Sequence, residues 1–156
     1  LVDLAQKVDL DFVLVAMPYT LIDQESLHTG MKACQDRNIG VIIGAPFASG
    51  ILATGSAGAA HYNYSAADAF VIEKVRQIEA VCNAHGVSLQ AAALQFPLAH
   101  PAAAAIIPGA AKPEEMAANI ASLDAQIPSQ FWDDLKSEGL VDLEAPIPGD
   151  TLGSST

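Results

Sequence analysis

The sequence predicts an α/β fold built on three parallel strands with covering helices. Three observations carry that expectation. Short apolar runs at 12–16, 41–43 and 102–107 alternate with longer stretches of helical spacing. Hydrophobic residues make up 51% of the 156 residues and charged residues 16%, which suits strands buried beneath helices. Finally, the run ending Ile106-Ile107 meets a Pro108-Gly109 turn just ahead of a helix start, the strand-to-helix junction on which α/β proteins hold phosphates.

Residues Leu1 to Val8 place Leu1, Leu4, Ala5 and Val8 on one helical face. Phe12 to Ala16 is short and wholly apolar, a buried strand ended by Pro18. Glu25 to Arg37 returns to helical spacing through Leu27, Met31 and Cys34. Gly40 opens the second strand, Val41-Ile42-Ile43, closed by Gly44-Ala45-Pro46. The stretch that follows, to about Ala67, is rich in Gly, Ala and Ser and too long for a plain connection, so it reads as a functional or mobile loop.

Asp68 to His85 is the clearest helix, with Val71, Ile72, Val75, Ile78, Val81 and Cys82 on its apolar face and Gly86 at its stop. Ser88 caps a helix running through Leu94 to Phe96, before Pro97. Ala102 to Ile107 is expected to be the third strand, although alanine is a poor strand former. Helices follow at Glu114–Leu123, with Pro113 in the first turn, and at Ser129–Glu138, ended by Gly139. From Ala145 the chain is Pro-, Gly- and Ser-rich, so residues 1–148 are expected to form the folded domain and 149–156 a flexible tail.

Alternation of this kind argues for a parallel sheet with right-handed crossovers. Three strands alone leave two open edges, so the chain reads as part of something larger. It also starts without Met, as a processed or partial product would. The net charge of −11 repels polyanions, which argues against nucleic acid and anionic membrane surfaces as partners. No apolar stretch approaches the roughly 20 residues of a bilayer span, and no signal peptide is visible. Cys34 and Cys82 read as reduced, packed thiols, consistent with a cytoplasmic location.

Three ordered segments resemble the aldo-keto reductase family. Phe12 to Gln24 is similar to the sixth barrel strand, and Gly44 to Gly55 to the seventh strand with its Gly-x-Leu-x-Gly finish. Ile107-Pro108-Gly109 to Asn119 is similar to the eighth strand and helix. Leu94 to Pro101 and Phe131 to Lys136 fit the branch containing D-threo-aldose 1-dehydrogenase, L-fucose dehydrogenase and pyridoxal 4-dehydrogenase. The resemblance covers the chain to about Pro148. It implies the C-terminal part of a (β/α)8 barrel, from the fifth helix onward, with the site at the C-terminal ends of the strands.

The family's Asp-Tyr-Lys-His catalytic group belongs to the first half, so the resemblance places no catalytic residue in this chain. What it implies here is binding of NAD, with NADP as the alternative, for oxidation or reduction of a sugar or small carbonyl compound; the competing expectation is a catalytically inactive barrel fragment that binds nucleotide weakly or only associates with another chain. By resemblance, Ala45, Pro46, Phe47, Gly50 and Leu52 run beside the pyrophosphate, where Gly50 lets the backbone approach closely. Gly109, Ala110 and Lys112 approach the adenosine ribose, and Asn119 hydrogen-bonds adenine. Read from the residues alone, Asn119 is an ordinary exposed helix residue and Lys112 a solvated charge.

Three positions depart from the family's pattern. Gly44 stands where many members stack a Tyr on the nicotinamide, and Ala16 where a Gln often holds the carboxamide. Glu115 stands where NADP-preferring members commonly carry an Arg. A carboxylate there opposes a 2′-phosphate and can accept from a free 2′-hydroxyl, so NAD is expected. The expected partners are the missing N-terminal half or a second copy of the chain. His61-Tyr62-Asn63-Tyr64 reads as loop structure, His28 and His100 as surface or capping residues, and Cys82 with His85 as no metal site.

Overall fold

The computed structural model describes residues 1–57, 61–62, 65–66 and 68–149. Its elements run α1 (Val2–Lys7), β1 (Phe12–Ala16), α2 (Lys32–Asp36), β2 (Gly40–Gly44), α3 (Ile51–Thr54), β3 (His61–Tyr62), β4 (Ser65–Ala66), α4 (Ala69–His85), α5 (Leu89–Leu98), β5 (Ala103–Ile107), α6 (Pro113–Asp124) and α7 (Ser129–Ser137). The main sheet has the order β1-β2-β5, parallel throughout, as the alternation of strand and helix required. Its register slips once, between Val41 and Ile42.

Side chains alternate across the sheet, so one face is packed and the other is open. Val41 and Ile43 point into the helical layer and are fully buried. On the opposite face, Phe12 is 61%, Leu14 57% and Ile107 50% exposed. Registration sets Leu14 beside Ile42, and Ala16 beside Gly44 and Ile107, so these positions share one apolar surface. The helical layer closes over Tyr19, Phe96, Phe131 and Trp132, with Tyr19 stacked on Phe96 at 5.0 Å and Phe131 set edge-on to Trp132 at 4.8 Å.

Three local differences from the sequence expectation stand out. The helix expected from Glu25 opens as a wide π turn at Leu27–Met31, where Met31 N–H reaches Ser26 C=O at 2.9 Å. Gly30 in that turn lies against Leu1, whose Cδ2 would stand 3.0 Å from a Cβ there. The helix expected to end before Pro97 continues to Leu98, because proline in a last turn forfeits a single helical hydrogen bond. Within the expected domain, Ala145 and Ile147 pack into the core. The expected long loop contains a 3-10 turn at Ala48–Gly50, helix α3 and the β3–β4 hairpin.

Both cysteines are free and buried. Asp68 caps α4 by accepting Val71 N–H at 2.9 Å, and Gly86 ends it at φ 65°. Asn63, Tyr64 and residues 150–156, which include most of the expected tail, lie outside the described residues.

Candidate cofactor-binding rim

Parallel strands present their C-terminal ends along one rim, and two backbone hydrogen bonds extend the sheet there. Met17 N–H donates to Gly44 C=O at 2.9 Å, and Ala45 N–H donates to Ile107 C=O at 3.3 Å. The second bond joins the two segments that the sequence singled out, Ala45 to Leu52 and Ile107 to Asn119.

The backbone is strained at this rim. Among the described residues, Met17, Asn38, Ala45, Ala48 and Ser49 are the non-glycine residues at positive φ. Asn38 turns the chain into β2, while the other four, at φ 49°, 50°, 49° and 61°, sit at or just beyond the ends of β1 and β2. Each costs on the order of 1–3 kcal/mol, and such outliers gather where ligands are held. Gly50 completes the run at φ 102° and caps α3; nothing lies within 4 Å of a Cβ built there. The bare backbone at Gly50 is therefore open to close approach.

Side chains within the Ala45–Leu52 segment divide sharply. Pro46, Phe47 and Leu52 are buried, Leu52 completely, so Leu52 adds no side chain to the rim. Ala45, Ser49 and Gly50 are half-buried. The Ser49 hydroxyl donates to Met17 Sδ at 3.6 Å, tying the two strand ends together.

Across the rim, Gly109, Ala110 and Lys112 are exposed and lead into α6. Glu115 is exposed, and its Oε2 accepts Ala111 N–H at 2.7 Å. Asn119 is not the exposed residue that its residue type suggests. It is 6% exposed and its Nδ2 donates to Gly109 C=O at 3.5 Å, on the inner side of the turn. Ala16 and Gly44 occupy the rim as expected, and neither carries a side chain able to stack on or hold a nicotinamide.

His28, His85 and His100 are engaged elsewhere. His28 lies between Asp142, at 3.3 Å, and Glu144, at 3.6 Å. His85 pairs with Asp134 at 2.7 Å. His100 is buried rather than on the surface, and its Nδ1 accepts Ala102 N–H at 3.1 Å while burial holds its pKa below the ordinary value. Among the described residues no three His, Cys, Asp or Glu side chains stand together to hold a metal ion, and no helix is long and apolar enough to cross a membrane.

Helix-borne side chains that brace the rim loops carried no motif in the sequence. Lys74 of α4 donates to Ile22 C=O at 3.0 Å, with burial lowering its pKa. Gln90 of α5 donates to Ala53 C=O at 2.9 Å. A long polar residue on the flank of an apolar helix was the available signal, and it is a common one.

The sequence pattern of the aldo/keto reductase family matches residues 1–138. The pyridoxal 4-dehydrogenase of Microbacterium luteolum is 37% identical over 139 residues, covering 89% of this chain and 41% of that protein. The D-threo-aldose 1-dehydrogenase of a Pseudomonas species is 29% identical over 137 residues, covering 87% of this chain and 42% of that protein. The chain thus spans about 41% of the length of the curated relatives it matches. Among solved structures, the holo form of the aldo-keto reductase AKR11C1 from Bacillus halodurans superposes with a TM-score of 0.67 at 17% identity, over 95% of this chain and 48% of that one.

Proposed function

The chain belongs to the aldo/keto reductase family and folds as the C-terminal part of its (β/α)8 barrel; from that premise we propose that it is the dinucleotide-binding wall of an NAD(P)-dependent oxidoreductase. The observation that supports this best is the Ala45–Ile107 hydrogen bond, which sets the backbone at Gly50 and the turn at Gly109 on one rim. The residues fit such a ligand. Backbone at Ala45 to Gly50 faces the pyrophosphate, Gly109 to Lys112 the ribose, and Asn119 the adenine.

The cofactor, when bound, supplies a hydride acceptor or donor at its nicotinamide ring. Residues of this chain bind and orient it; the proton donor and acceptor for the substrate carbonyl come from outside the chain. The substrate class is a sugar or small carbonyl compound, consistent with the names of the two relatives. Glu115 directs the preference toward NAD. Its carboxylate, held by Ala111 N–H, stands at the turn assigned to the ribose and disfavours a 2′-phosphate.

The open sheet face requires a partner. Phe12, Leu14 and Ile107 have the character of a barrel interior, and covering the exposed half of each stabilises by about 1–2 kcal/mol. The preferred cover is polypeptide that completes the barrel, with a second copy of this chain as the alternative. The test is a titration of NAD and NADP into a complete barrel carrying this chain. Tight NAD binding lost on Gly50→Val supports the assignment; absence of dinucleotide binding, or indifference to Gly50→Val, refutes it.

A further inference from the structure

Building on the dinucleotide assignment, we infer that Glu79 is a positioning residue that holds the pyrophosphate-facing turn at Ala48–Gly50 through Ser56. Glu79 projects from the middle of α4 and takes both hydrogen-bonding groups of one residue. Its Oε1 accepts Ser56 N–H at 3.1 Å, and its Oε2 accepts the Ser56 hydroxyl at 2.5 Å.

The chain is shaped to admit this carboxylate. Gly55 ends α3 at φ 80° and ψ −179°, a conformation open to glycine alone. A Cβ on Gly55 would overlap Glu79 Oε1, so a side chain there would push the carboxylate off Ser56. Gly55 is buried and Ser56 half-buried, which shields the bonds from competing water.

Helix α3 has four residues, too short to hold its own position. It is anchored from outside at its C-terminal end, by Gln90 on Ala53 C=O and by Glu79 on Ser56. Thr54 Oγ1 donates to Gly50 C=O at 3.2 Å and links that anchored end to the Gly50 cap. Movement released at Ser56 therefore reaches Gly50 within one helical turn. Gly109, Ala110 and Asn119 belong to the other side of the rim and do not share these anchors.

That separation supplies the test. In a complete barrel carrying this chain, dissociation constants for NAD and for adenosine are measured in the parent, Glu79→Ala, Glu79→Gln and Ser56→Ala. Amide exchange across residues 50–56 is followed in the same proteins. Glu79→Ala should weaken NAD about 10-fold, speed exchange at Gly50 to Ser56, and leave adenosine within about 2-fold. Glu79→Gln retains one acceptor oxygen and should recover part of the loss, and Ser56→Ala should fall between the parent and Glu79→Ala. Unchanged NAD affinity in both Glu79→Ala and Ser56→Ala overturns the inference. Equal losses for NAD and adenosine overturn it too, because they mark a role in folding alone. A parent that binds no dinucleotide refutes the proposed function first, and this inference with it.

Discussion

Glu115 and Ala111 are joined across the start of α6 by a 2.7 Å hydrogen bond from backbone N–H to carboxylate. The bond does two things at once. It satisfies an amide ahead of the first helical turn, where negative charge is favoured, and it fixes the carboxylate beside the turn assigned to the ribose. Glu115 in a complete barrel should therefore favour NAD over NADP by about 10–100-fold, the ratio that roughly 1–3 kcal/mol provides. Lys112 offsets part of the repulsion and Gly109 offers no cation. Glu115→Arg should shrink or reverse the preference, mainly by tightening NADP. Dissociation constants for both cofactors at low ionic strength check this, and a parent that already prefers NADP would mean that Glu115 does not face the ribose.

The strands and helices were legible because each depends on local spacing. Asp68, Ser88 and Pro113 mark helix starts, and each stands at one. Residues 48–55 were not legible as structure, since left-handed conformations at Ala48 and Ser49 contradict the preferences of those residues. They are imposed by packing, with Ala48 and Leu52 fully buried. Asn119 shows the same limit at the site. Its spacing from Gly109 was visible, but its burial depends on where the turn lies relative to α6. Glu79 and Gln90 were invisible as anchors because their partners, Ser56 and the Ala53 carbonyl, belong to a segment distant in sequence.

The isolated chain should not turn over aldoses with NAD or NADP. The resemblance assigns the family's Asp-Tyr-Lys-His group to the other half of the barrel, and at the rim Ala16 and Gly44 offer no proton donor. Steady-state assays with L-fucose and related aldoses, on material of verified mass, check this. Clear turnover by 156-residue protein would sink it.

Exposed Phe12 and Leu14 should make the isolated chain associate. Both stand on β1, an edge of the sheet, above the open face. Sedimentation should show dimers or larger species, and a dye that reports apolar surface should bind. Phe12→Ser with Leu14→Ser should reduce both signals, because the change removes roughly 2–4 kcal/mol of apolar driving force from that face. A compact, cooperatively unfolding monomer in the parent chain contradicts this reading.

His100 should make the fold acid-sensitive above the range where carboxylates titrate. It is 3% exposed, and its Nδ1 must stay unprotonated to accept Ala102 N–H at the approach to β5. Burial lowers its pKa from the ordinary 6.5, so the unfolded chain binds a proton there more readily than the folded one. The sign follows. Full stability is present above about pH 6.5 and is lost as pH falls through the unfolded value toward the folded one. His28 and His85 instead face carboxylates, Asp142 and Asp134, on the surface of the helical layer. His100→Gln retains an acceptor for Ala102 N–H without the titration. Denaturant midpoints between pH 7 and 5 should fall for the parent and stay flatter for His100→Gln. Parallel slopes in the two proteins would show that the acid sensitivity arises elsewhere.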